Sequence, residues 1–156
     1  MSHPRKINLP TQSMLWSRIG QGDFLDCYVV RSDLPARTAA EVATHFPPWV
    51  RGLLYLRGLI TAPFGLSNNG PEAPDKLGMF PVESDANGEL IAGFDDSHLN
   101  FRISVLSHQG QVSLATWVHP HHFGGKLYLR CILPFHILVV RNALARVARN
   151  KAAPAG

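Results

Sequence analysis

Three groups of residues in this 156-residue chain carry side chains suited to chemistry. The densest is His119-Pro120-His121-His122. Neutral imidazoles suit zinc or a similar metal, and His119 and His121, two positions apart, can share one face of a strand. Their spacing matches no recognised metal motif, so the competing reading is a polar corner whose histidines cap the next helix or face water. The second group, Asp95-Asp96-Ser97-His98, supplies a carboxylate and a base for acid–base work if His121 or His136 comes near in space. Asp-Asp-Ser before a strand is more often an ordinary turn whose side chains bond local backbone N–H groups. The third group is two polar residues set into apolar patterns. Asp26 alternates onto the strand face that holds Phe24, Tyr28 and Val30, where a buried carboxylate needs partners or a raised pKa. His136 falls in the middle of an apolar helix face, either as a core histidine satisfied by a neighbour or as a polar group lining a cavity. No Gly-x-Ser-x-Gly elbow, phosphate loop or neighbouring cysteine and histidine occurs.

The elements that position these residues can be read from periodicity. At about 100° per residue, positions 126 to 149 place Lys126, Arg130 and Arg141 on one side of a helix. The opposite side collects Leu129, Ile132, Leu133, His136, Val139, Val140, Ala143 and Val147. Pro134 has no N–H for the Arg130 carbonyl, so the helix either kinks there or restarts with Pro134 in its first turn. Ahead of it, Leu99 to Val105 and Gln111 to Val118 alternate apolar and polar residues as half-buried strands do. Asp23 to Arg31, Met79 to Ser84 and Glu89 to Phe94 also read as strands, the last two joined through Asn87-Gly88, a hairpin signal. Ala36 to Phe46, capped by Ser32 or Asp33, and Trp49 to Ile60 read as two short helices, and Ser67 to Leu77 as a loop. The order is strand, helix, helix, four strands, long helix. It predicts an α+β fold: a curved antiparallel sheet of about five or more strands, with two short helices after the first strand and a long C-terminal helix packed over it. Residues 1–20 are expected to be a surface arm, 21–150 a single domain and 151–156 a disordered tail.

Composition narrows the function classes. With 46% hydrophobic and 17% charged residues the chain is that of an ordinary folded domain. The formal charge of +4 invites nucleic acid, but the 15 basic residues are spread out and are not interleaved with aromatics as a base-stacking platform requires. Cys27 and Cys131 form no paired motif and are expected to be reduced, buried and inert. The apolar windows Trp49 to Leu66 and Leu127 to Val140 are interrupted by Arg51, Arg57, Arg130 and His136. They therefore fall short of a membrane span of ~20 apolar residues. With no apolar run before Leu15, no secretory signal is read, and a cytoplasmic, bacterial-type protein is expected.

The run Gly93-Phe94-Asp95-Asp96-Ser97-His98-Leu99-Asn100-Phe101-Arg102, then Val118 with His121, Gly125-Lys126-Leu127-Tyr128 and Pro134-Phe135-His136, resembles a bacterial family of uncharacterised domains. Members of that family also occur fused to NAD(P)-binding, epimerase-like domains. The resemblance spans about Asp23 to Arg149 and departs at His119-Pro120. It implies a START-like helix-grip (SRPBCC) protein with a cavity for apolar ligands. No dinucleotide fingerprint is present, so no cofactor is expected. The leading expectation is a small apolar or amphipathic ligand held between sheet and helix, with Asp26, Tyr28, Phe101, Trp117, His121, Tyr128, His136 and Val140 as cavity candidates. Trp49 and Phe64 stand as candidates for its mouth, beside Trp117. The alternatives are an enzyme using His136 or His121 with Asp26 or Asp95, and a non-catalytic module docking on an epimerase-like partner. A second copy of the chain, as a homodimer, stands as a further partner candidate, while no nucleic acid, no membrane span and no metal are expected.

Overall fold

Seven antiparallel strands form one open sheet in the order β1-β2-β7-β6-β5-β4-β3. They are β1 (Arg5–Lys6), β2 (Phe24–Arg31), β3 (Lys76–Leu77), β4 (Phe80–Ala86), β5 (Glu89–Asp95), β6 (Leu99–His108) and β7 (Gln111–Pro120). The computed structural model describes residues 3–61, 73–77, 80–95 and 99–150. The expectations for Phe64, most of the 67–77 loop, Met79, Asp96, Ser97, His98 and the 151–156 tail lie outside these residues.

The run from β4 to β7 is made of hairpins whose turns the chain can afford. Asn87 and Gly88 have φ of 57° and 77°, and Gln109 and Gly110 have 50° and 75°. These are the paired positive angles of a two-residue turn that matches the twist of its strands. The β2–β7 pairing then brings the first long strand against the last, with Asp26 opposite Thr116 and Phe24 opposite Val118. Two short strands go beyond the expected set. β1 turns the N-terminal arm into a sheet edge, and β3 forms at the end of the stretch expected to be loop.

Alternation divides the sheet into two faces. Tyr28, Val30, Leu90, Ala92, Val105, Val112 and Leu114 point to the front and pack with α1 (Ala36–Thr44) and α3 (Phe123–Arg149). α1 reaches close because its inner residues are small: Ala39, Ala40 and Ala43 are buried against the core. α3 docks through Val140, Ala143, Leu144 and Val147, the last two fully buried, each such side chain contributing about 1.5–3 kcal/mol. The helix runs unbroken through Pro134, so it does not restart there. α2 (Pro48–Thr61) is less embedded; Val50 is its one buried side chain among those described. The fold is thus α+β, an open antiparallel sheet with three helices including a long C-terminal one.

The back face is covered by the N-terminal arm, which is structural and not merely a surface feature. Leu9 and Leu15 are buried there with Cys27, Ala115 and Trp117. The anchor is Glu89, itself 2% exposed. Its carboxylate accepts from the Ser13 hydroxyl at 2.5 Å, the Met14 N–H at 2.8 Å and the Ser104 hydroxyl. By length and composition α3 is also apolar enough to cross a membrane, with a mean hydropathy of 1.5 over its most apolar window, 22% of it buried. The shorter window Leu127 to Val140, interrupted by Arg130 and His136, does not by itself reach that length.

Candidate functional site

The middle of α3 stands off the sheet and leaves a hollow of about 570 Å³ open to one side. Its floor is the upper front face of the sheet: Phe24 and Thr116, Val118 and Leu114, Phe101 and Ile103, Phe94 and Leu99. Its roof is α3 from Tyr128 to Ala143, and Leu53, Leu54 and Leu56 of α2 form part of its rim. Aromatic rings stiffen the floor. Phe101 meets Phe94 edge-on with centroids 4.7 Å apart and Phe80 at 5.7 Å.

Besides Thr44, Tyr128 and Cys131, which also line these walls, a polar cluster links α3 to the sheet. His136 projects from α3 toward β2, where its Nε2 lies 3.1 Å from Asp26 Oδ2 and its ring meets Phe24 edge-on at 6.2 Å. The Asp26 side chain is 4% exposed and that of His136 is 20% exposed. Thr116 is the cross-strand partner of Asp26 on β7 and faces the same way. Among the described residues, Asp26 Oδ1 and Thr116 Oγ1 are buried without a hydrogen-bond partner. A buried polar atom left unpaired costs about 1–3 kcal/mol, so two side by side at one cavity wall need explaining.

The structure brings five of the expected residues together. Phe101, Tyr128, His136 and Val140 line the hollow, and Asp26 stands behind His136. Tyr28 shares the front face but is buried in the core, away from the lining. Trp117 is corrected: it points to the back face, where its indole N–H donates to Asp23 Oδ2 at 2.8 Å. The parity of β7 forces this, because Thr116 and Val118 face front. His121 is also corrected. It is exposed beyond the end of β7, with Nε2 2.7 Å from Asn100 Oδ1. Trp49 is half exposed and outside the lining, and Cys131 is exposed where burial was expected. Thr116 was not among the candidates. The signal that singled out Asp26, a polar residue on an apolar strand face, would have found it too.

Asp95 and His119, from the other two chemical groups, make structural contacts. Asp95 is on the back face, pairing with Arg102 at 2.9 Å, which leaves it on the wrong side of the sheet for His136. Arg102 also reaches Glu83 at 3.0 Å. Its stem crosses Gly93, where an added Cβ would lie 2.3 Å from the Phe101 carbonyl and 3.1 Å from Arg102 Cδ. His119 stacks on Trp117 and lies 2.6 Å from Asp23 Oδ1. Burial pushes the Asp23 carboxyl up, but hydrogen bonds with His119, the Gly20 N–H and Trp117 outweigh it and hold the carboxyl below its usual range. Burial pushes the Cys27 thiol up to about 12, which makes it a poor nucleophile. Among the described residues no group of three or more His, Cys, Asp or Glu is placed to hold a metal ion.

The family model "Protein of unknown function (DUF2867)" matches residues 18–143, and the chain belongs to that family. No curated protein and no solved structure matches it.

Proposed function

We propose that this DUF2867 protein binds a small apolar or amphipathic molecule between its sheet and α3, and that the molecule carries a hydrogen-bond-donating end such as a hydroxyl. The observation that carries the reading is the hollow itself: about 570 Å³, lined mostly by aliphatic and aromatic side chains, with polar groups at His136 and Thr116, and Asp26 behind them. Ligand sites commonly fall at roughly 300–1,000 Å³ with a few convergent polar groups. Whichever partner holds the proton between Asp26 Oδ2 and His136 Nε2, Asp26 Oδ1 still offers lone pairs and calls for a donor. A hydroxyl answers that and also accepts from Thr116. A carboxylate brings no donor. The element order, with two short helices after the first long strand and a long last helix over the sheet, supports grouping the fold with the START-like helix-grip proteins.

The test is a fluorescence titration with N-phenyl-1-naphthylamine, a neutral apolar probe, displaced by 1-dodecanol or by dodecanoate. Saturable binding is expected, with the alcohol displacing at roughly tenfold lower concentration than the acid. Ile132→Trp, which fills the roof of the hollow, should abolish the signal while circular dichroism stays unchanged. Absence of saturable binding, or equal binding by the filled variant, overturns the reading.

The 3.1 Å contact of His136 with Asp26 favours one second reading. A carboxylate that fixes an imidazole leaves its other nitrogen free to move a proton on a bound molecule. Under that reading, a ligand recovered from wild-type protein held in D₂O acquires deuterium, and one from His136→Gln does not. No deuterium in either sample removes it.

A further inference from the structure

We propose that the outer surface of α2 and the first half of α3 docks on an anionic phospholipid bilayer, lying in its interface rather than crossing it. The argument stands on exposure and charge alone and does not require the hollow to bind anything. Tyr55, Leu56 and Leu59 of α2 are 69%, 51% and 59% exposed, and Phe123, Leu127 and Leu138 of α3 are 77%, 52% and 59% exposed. Single exposed apolar residues are ordinary, but six large ones on two helices that share one cavity rim form a patch. On α3 Phe123, Leu127 and Leu138 are four and eleven positions apart, which at about 100° per residue puts them on one side, away from the docked face.

Charge selects the occupant. Neither helix contains an aspartate or glutamate, and no acidic residue follows Asp96 anywhere in the chain. Among the described side chains there, the cations are outward: Arg51, Lys126 and Arg130 are all exposed. Exposed Phe, Leu and Tyr beside lysine and arginine, without acids, make up the surface of a helix that lies in a headgroup layer. A second copy fits poorly, because a two-fold contact through this face sets cations against cations with no acid on either side to answer them. A crossing orientation fits poorly too, since Val140, Ala143, Leu144 and Val147 tie the second half of α3 into the core. Leu56 and Phe135 are half exposed and also line the hollow, so the docking face borders it.

The experiment is flotation of the whole chain with vesicles of phosphatidylcholine alone and of phosphatidylcholine mixed with phosphatidylglycerol. Three exposed cations at about fivefold each give roughly a hundredfold preference for the anionic vesicles, shrinking as salt is raised. Leu127→Asp and Arg130→Glu should each release the protein from those vesicles. Lys6→Glu, the same charge change on the β1 edge, should leave it floating. All three positions are exposed, and near-ultraviolet circular dichroism checks that each variant keeps its packing. Failure to float with the anionic vesicles overturns the proposal. So does flotation unaltered by Leu127→Asp and Arg130→Glu, and so does a dimer seen by light scattering that Leu127→Asp dissolves while wild type ignores vesicles. None of these outcomes bears on the naphthylamine titration, so the two readings fail separately.

Discussion

Replacing Asp26 by leucine asks whether its buried carboxylate serves the fold or the hollow. The carboxylate makes one described hydrogen bond, to His136, and leaves Oδ1 unpartnered at a site where the side chain is 4% exposed. A hydrogen bond to a charged group contributes about 1.5–3 kcal/mol, and a buried unsatisfied atom costs about 1–3 kcal/mol, so the two nearly cancel. Leucine is bulkier than aspartate, but beside the hollow its extra methyl groups have open space next to Phe24 and Val118, where their contact offsets what His136 loses. The His136 ring, 20% exposed at the cavity wall, can turn to solvent instead of being stranded. Urea unfolding is therefore expected within about 1 kcal/mol of wild type, or roughly 2–4 °C in Tm for a chain of this length. Displacement of the naphthylamine probe by 1-dodecanol should weaken about tenfold or more. A loss of about 3–5 kcal/mol, the cost of breaking a buried pair on which the fold depends, would refute the reasoning and make Asp26 a structural residue. Unchanged dodecanol affinity would refute its role toward the ligand.

Three other perturbations follow from groups already described. Glu89→Ala strands the Ser13, Met14 and Ser104 donors, so it should cost about 3 kcal/mol or more and loosen the N-terminal arm. Trypsin should then cut after Arg18 well before it cuts wild type, and equal cutting rates would count against the anchor. The Asp23 carboxyl has a folded pKa below its unfolded value, so its contribution is present above about pH 4 and is lost as pH falls through the folded pKa. Stability measured from pH 6 down to 2 should fall less steeply in Asp23→Asn than in wild type. Of the two free cysteines, exposed Cys131 should react with a thiol reagent in the native protein, whereas Cys27 should react only on unfolding. Because Cys131 also borders the hollow, saturating naphthylamine should slow its modification, and an unaltered rate would place the probe elsewhere.

What could be read in advance, and what could not, follows from the range of the interactions concerned. Period-2 alternation and turn chemistry are local, and they were enough for the strands from Phe80 to Pro120, both tight turns and the inward placing of Asp26. Helical spacing was enough for the long run from Phe123 and for turning His136 toward the sheet. Local pattern does not say which strands become neighbours. Only the β2–β7 pairing sets Thr116 beside Asp26, and only α3 crossing above that pair brings the imidazole to the carboxylate. The same limit explains Gly93, whose need for a bare α-carbon comes from the Phe101 carbonyl on the adjacent strand. It also explains the arm, whose few apolar residues look weak until Glu89 and the back face give them partners. Where one polar residue interrupts an apolar alternation, the next strand deserves the same inspection. A carboxylate on one half-buried strand has its closest possible companion directly across the ladder, about 5 Å away, and parity then decides which residues can be that companion. Applied to β7, this admits Thr116 and excludes Trp117.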